Sequence, residues 1–203
     1  MKKFYITLLL FIITTYNFAD AQQIKSKLGF DLRLPKNYFH LDTNRSTDQI
    51  IKEYKGEALD INYISKLLSS SAKNTSFEVF LHRELNPNGN SINFNVIPNS
   101  GSVISDYLKT PKKELCSALR SQIIAIYGGK EKRQLYCDFK SNLSDNVNTS
   151  LKIAHDGRLP NQHLIQYQFK IKNDLITATL GCFKNNCNLM EGDLLKIIRS
   201  INY

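Results

Sequence analysis

HLIQYQFKIK, residues 163–172, alternates without interruption. Ile165, Tyr167, Phe169 and Ile171 take one parity, and Gln166, Gln168, Lys170 and Lys172 take the other. Successive side chains of a strand point to opposite faces, so this stretch reads as a strand buried on one side. Asn173-Asp174 follows as a turn pair, and LITATLGCF (175–183) restores the pattern with Ile176, Ala178, Leu180 and Cys182 on one face. The two runs predict a hairpin.

Working outward, INFNVI (92–97) groups Ile92, Phe94 and Val96, and SFEVFLH (76–82) groups Phe77, Val79 and Leu81. KEKRQLYCDFK (130–140) groups Leu135, Cys137 and Phe139; SLKIAH (150–155) is a shorter strand. LGFDLRLP (28–35) is a strand stopped by Pro35. His82 falls opposite Leu81 in parity and is expected at the surface. Stretches 84–91, 98–109 and 141–149 are polar and read as loops.

Helical spacing is rarer. Thr110-Pro111 reads as an N-cap followed by a first-turn proline. Leu115, Leu119, Ile123 and Ile126 then recur until Gly128-Gly129. Asn188 with Glu191 reads as a capping pair, opening a helix striped by Met190, Leu194, Ile197, Ile198 and Ile201. Asp60 is expected to cap a helix through Ile61, Ile64, Leu67 and Leu68, with another near 47–55. Strands buried on one face and helices with one apolar stripe predict an α+β fold, helices packed on an antiparallel sheet. No repeat or Pro/Gly/Ser-rich linker divides the chain, so a single domain is expected over 22–203.

The N-terminus predicts the compartment. MKK is basic, TLLLFIITT (7–15) is apolar, and Ala19-Asp20-Ala21 offers a small-x-small cleavage site. Residues 1–21 therefore read as a signal peptide, with mature protein from Gln22, in the periplasm or secreted. The apolar run is shorter than the ~20 residues of a membrane span. The Asn, Ile and Lys bias suggests a bacterial chain. The formal charge of +9 falls by one when Lys2, Lys3 and Asp20 are removed.

Four cysteines, Cys116, Cys137, Cys182 and Cys187, in an exported chain predict two disulfides. A zinc site would favour paired C-x2-C spacing or adjacent histidines. Four cysteines allow three pairings. About 16 Å of helix separates Cys116 from Tyr127, and about 23 Å of strand separates Lys130 from Cys137. A strand returning beneath its helix would bring those two to similar height, leaving Cys182 and Cys187 to bridge the last strand to the last helix.

The order of these phrases, LGFDLRLPKNY, then INFNVIP leading to the helix after Thr110, then LITATLGCF with LLKIIRSI, resembles the PsbP/DcrB/LpqN group. These are small exported bacterial proteins and a component of the photosystem II oxygen-evolving complex. The resemblance covers most of 28–202 and implies an α/β/α sandwich with a mostly antiparallel central sheet. It further implies an accessory or binding role rather than catalysis. It carries no catalytic motif, so no functional residue transfers, and two disulfides depart from the group's pattern.

The histidines are His40, His82, His155 and His163. His155-Asp156-Gly157-Arg158 reads as a turn, since Asp-Gly is a turn signal and Pro160 follows. No G-x-S-x-G, H-E-x-x-H or phosphate-cradling loop occurs. No catalytic residue, metal ligand or cofactor is therefore expected. Lys109, Lys112 and Lys113, with Lys130, Lys132 and Arg133, form two basic clusters. They are either solvated surface or an attraction for an anionic partner: a lipid head-group layer, an acidic glycan or an acidic protein. Nucleic acid is not expected.

The function expected is an exported, non-enzymatic binding or accessory protein for a protein or envelope component. The alternatives are a secreted effector acting on a host surface, or a hydrolase without a recognisable motif. An enzyme would gather at least two titratable groups in a pocket.

Overall fold

The computed structural model describes residues 21–42, 45–54, 60–128 and 135–203. The chain runs β1 (Ala21–Lys25), β2 (Asp31–Pro35), β3 (Tyr38–His40), α1 (Thr47–Glu53), α2 (Ile61–Lys73), β4 (Phe77–His82) and β5 (Ser91–Ile97). It continues with α3 (Ser102–Lys109), α4 (Lys112–Tyr127), β6 (Tyr136–Ser144), β7 (Val147–Asp156), β8 (Gln162–Ile171), β9 (Asp174–Phe183) and α5 (Cys187–Arg199). Seven strands form one sheet in the order β3-β4-β5-β9-β8-β7-β6, each pairing antiparallel; β1 and β2 form a separate hairpin. From β5 at the centre the chain passes through α3 and α4 to the far edge, then returns as a meander to pair β9 with β5.

One sheet face carries the main core. Phe80, Ile92, Phe94, Ile165, Tyr167, Phe169, Ile176, Ala178 and Leu180 meet Met190, Leu194, Ile197 and Ile198 of α5 and Leu32 and Leu34 of the β1–β2 hairpin. The opposite face carries two smaller clusters. Ile50 of α1 and Ile64 of α2 cover Phe39, Val79 and Leu81. Leu115 and Leu119 of α4 cover Cys137, Leu151 and Ile153. Helices thus lie on both faces of an antiparallel sheet, an α+β sandwich in three layers.

The strand parities over 76–82, 92–97 and 163–183 match the sequence reading, as do the caps that Asp60 gives α2 and the α5 stripe. Other expectations are corrected. The stretch 98–109 contains α3, and Thr110 ends it: its hydroxyl donates to Asp106 O at 3.0 Å, while Pro111 stands before α4. Asn188 lies inside α5, whose N-cap is Asn186, and Glu191 instead accepts from Tyr167 Oη at 2.5 Å. Residues 141–149 are largely β6 and β7 joined by a tight turn. Ile61 and Ile126 sit on their helical stripes by spacing, yet are 52% and 63% exposed. His82 is buried, because Tyr38 packs edge-on against its ring at 5.0 Å and α5 brings Asp193 to Asn37 beside it. Ala21, the last residue of the expected leader, opens β1 opposite Pro35; residues 1–20 lie outside those described.

Cys116 is bonded to Cys137, tying α4 to β6, and Cys182 to Cys187, tying β9 to α5. Their separations of 21 and 5 residues set different loop-closure entropies: about 3 kcal/mol for the longer loop, about 2 kcal/mol for the shorter. Replacing Cys116 and Cys137 by serine is expected to lower the melting temperature more than replacing Cys182 and Cys187. Equal losses would show that constraint of the unfolded chain is not what distinguishes the bonds.

Candidate functional site

Polar side chains gather at three places on the sheet and its helices. At the first, Glu78 of β4 is fully buried. Ser26 Oγ donates to Glu78 Oε2 at 2.7 Å, and the Lys27 N–H donates to Oε1 at 2.8 Å. His40 Nε2 lies 3.5 Å from Oε1. The Leu28 N–H donates to Ser26 Oγ, and Lys27 Nζ donates to Ser71 O at 2.8 Å. These side chains, with Asp42, line a cleft of about 380 Å³. Titratable groups therefore meet in a pocket, the pattern set out above for an enzyme. Yet both Glu78 oxygens hold the turn between β1 and β2, and the Ser26 proton points at a carboxylate rather than an imidazole. The arrangement works as a latch fastening the hairpin to the sheet.

Burial pushes the His40 imidazole below its ordinary value of 6.5, against the opposing pull of Glu78. Burial does the same to His82, whose Nδ1 accepts from the Glu84 and Leu85 N–H groups at 3.2 and 3.3 Å. The unfolded chain then binds protons that the folded chain refuses. Stability is full above the unfolded value of about 6.5 and is lost as pH falls towards the folded values. Melting at about pH 5.5 is expected below melting at about pH 7.5, with the difference reduced in His82→Gln. An unchanged or rising midpoint on acidification would contradict this.

The second place is the start of α4. Lys112 Nζ lies 2.8 Å from Asp138 Oδ1, and Lys109 Nζ lies 3.7 Å from Asp106. The hydrogen bond from Lys112 holds the Asp138 carboxyl below its ordinary range. Lys113 is exposed. Two of the three lysines thus already face a carboxylate. Lys130, Lys132 and Arg133 lie outside the described residues.

The third place carries no sequence motif. On the face opposite the main core, Asn93 of β5 stands opposite Thr179 of β9, which stands opposite Gln166 of β8. Two residues along, Asn95, Thr177 and Gln168 repeat the row. Each row is bounded by apolar residues of the flanking strands: Val79 and Phe77 of β4 on one side, Ile153 and Leu151 of β7 on the other. Those belong to the clusters under α1–α2 and α4. Where a three-layer sandwich would place core, the central strands instead present a trough of amides and hydroxyls. All six side chains are half-buried. Among the described residues no hydrogen bond engages them, and the Gln168 side-chain carbonyl is buried without a donor. α3 packs on β8 and β9, where Gly101 meets Lys170 and Asn173. At the β4 side, Tyr63 of α2 packs against the cluster that holds Val79. The sequence signal was the polar parity of three alternating strands, which taken singly reads as solvent.

Among the described residues no helix is long and apolar enough to cross a membrane, and no three His, Cys, Asp or Glu side chains gather as a metal site. No family model matches the chain, and no curated protein matches it in sequence. Its architecture does have a counterpart. The solution structure of cyanobacterial PsbP (CyanoP) from Synechocystis sp. PCC 6803 superposes with a TM-score of 0.51 over 91% of this chain and 92% of that one, at 12% identity. The fold is PsbP-like. At that identity the likeness concerns architecture; the PsbP-like frame positions the trough and says nothing of what occupies it.

Proposed function

We propose that the protein is an exported, non-enzymatic binding or accessory protein of the cell envelope, and that the trough is its contact surface. The observation that carries this is the pair of uncharged polar rows across β5, β9 and β8, bounded on both sides by helix-covered apolar clusters. Unengaged amides held on a rigid sheet are suited to recognition. The leader-like N-terminus and the two disulfides support export. The PsbP-like fold supports an accessory role through the resemblance.

The test compares two baits, mature protein and an Asn93→Leu/Thr179→Leu variant, against the cell's own envelope fraction. The native bait should retain a component that the variant loses; identical captures would sink the reading. Export is checked separately by mass spectrometry, which should find Gln22 as the first residue. An intact Met1 on exported protein would overturn it. A hydrolytic reading would rest on the meeting of His40 and Glu78, and requires a turnover that His40→Gln abolishes.

A further inference from the structure

We propose that the trough binds a neutral polyhydroxylated chain, an uncharged oligosaccharide, along its two polar rows. This rests on the binding reading above and names its ligand class. The first reason is charge. Neither row contains an ionised side chain; Lys170 lies one row further on, paired with Leu175. An ion leaving water for this floor would find no counter-charge, whereas a neutral ligand has no such need.

The second reason is hydrogen-bond type. Asn93, Asn95, Gln166 and Gln168 each offer both a donor and an acceptor, and Thr177 and Thr179 do the same through one hydroxyl. Sugar hydroxyls and N-acetyl groups are likewise donors and acceptors at once. The orphaned Gln168 carbonyl gains its missing donor when the amide turns towards an incoming hydroxyl. From β5 to β8 the floor spans two strand spacings, about 10 Å, room for two pyranose rings.

The third reason is the margins. Tyr63 packs on the cluster beneath α1 and α2, and Tyr107 on the cluster beneath α4. Aromatic rings beside a polar floor suit sugars, whose faces are apolar and whose edges are polar. An extended peptide fits less well. Peptides are captured by adding to a sheet edge, where free main-chain groups await them, and β5, β9 and β8 have both edges paired.

The experiment uses isotope-labelled mature protein titrated with a β-linked N-acetylglucosamine hexasaccharide, and in parallel with a neutral α-glucan hexasaccharide. With at least one of them, the side-chain NH2 resonances of Asn93, Asn95, Gln166 and Gln168 should shift, with an affinity unchanged by added salt. An Asn93→Leu/Gln166→Leu/Thr179→Val variant should bind at least about tenfold more weakly while melting as the native protein does. The wild-type resonances give a result even if the variant fails to fold. The proposal falls if neither sugar moves those amides. It falls equally if an uncharged extended peptide moves them in place of the sugars, or if only a uronic-acid oligomer binds and added salt abolishes it. Should the two-bait comparison succeed while the sugars fail, the ligand class is wrong and the binding reading stands; should both fail, both are wrong.

Discussion

Glu78→Ala is expected to destabilise the protein by about 3 to 5 kcal/mol, measured by chemical denaturation, from two orphaned donors and a cavity. The Ser26 hydroxyl and the Lys27 amide both donate to this one carboxylate. Ser26 is itself buried, so neither donor gains a full water partner when the acceptor is removed. The consequence reaches beyond the site. Ser26 and Lys27 form the turn of the β1–β2 hairpin, whose Leu32 and Leu34 belong to the main core. Loosening the turn frees one wall of that core. Glu78→Gln keeps one acceptor oxygen and should lose distinctly less. If Glu78→Ala melted within about 1 kcal/mol of native protein, the hairpin would be held by its apolar contacts alone and the latch reading would be wrong.

The ease of reading different parts of this chain follows from what local pattern encodes. Alternation over 163–183 fixes both the hairpin and its buried parity, because a one-residue slip would expose Phe169 and Ile176 together. The α5 stripe is legible for the same reason at helical period. Parity alone does not tell which polar residues meet water. His82 falls on the parity opposite Leu81 and is nevertheless buried, since that parity faces the main core with Phe80, and Tyr38 and α5, remote in sequence, close over it. α3 escapes notice because a helix of eight residues buries little: Ile104 is its one buried side chain. Thr110-Pro111 fits the end of one helix as well as the start of the next, and Asp106 O, which accepts from the threonine, decides between them. The trough required register. Asn93, Thr179 and Gln166 lie on three strands, and only the return of β9 to pair with β5 sets them in a line.

Adjacent residues of β5 should therefore answer to substitution in opposite ways. Phe94 is fully buried on the core face, where its ring meets Phe30 at 6.1 Å and Phe80 at 5.9 Å, both edge-on. It thus joins the β1–β2 hairpin, β4 and β5 in one cluster. Phe94→Ala removes these contacts and opens a cavity that the rigid central strands, paired on both sides, have little freedom to fill. A loss of about 3 to 5 kcal/mol is expected, with no direct effect on the other face. Asn93 and Asn95 touch that other face and engage no described partner, so Asn95→Ala should change stability by no more than about 0.5 kcal/mol. Its effect belongs to binding. Denaturation of the two variants in parallel tests the division of labour: one face of β5 for cohesion, the other for recognition. If Asn95→Ala proved as destabilising as Phe94→Ala, the polar rows would be part of what holds the sheet together, and the trough would be a structural seam instead of a site.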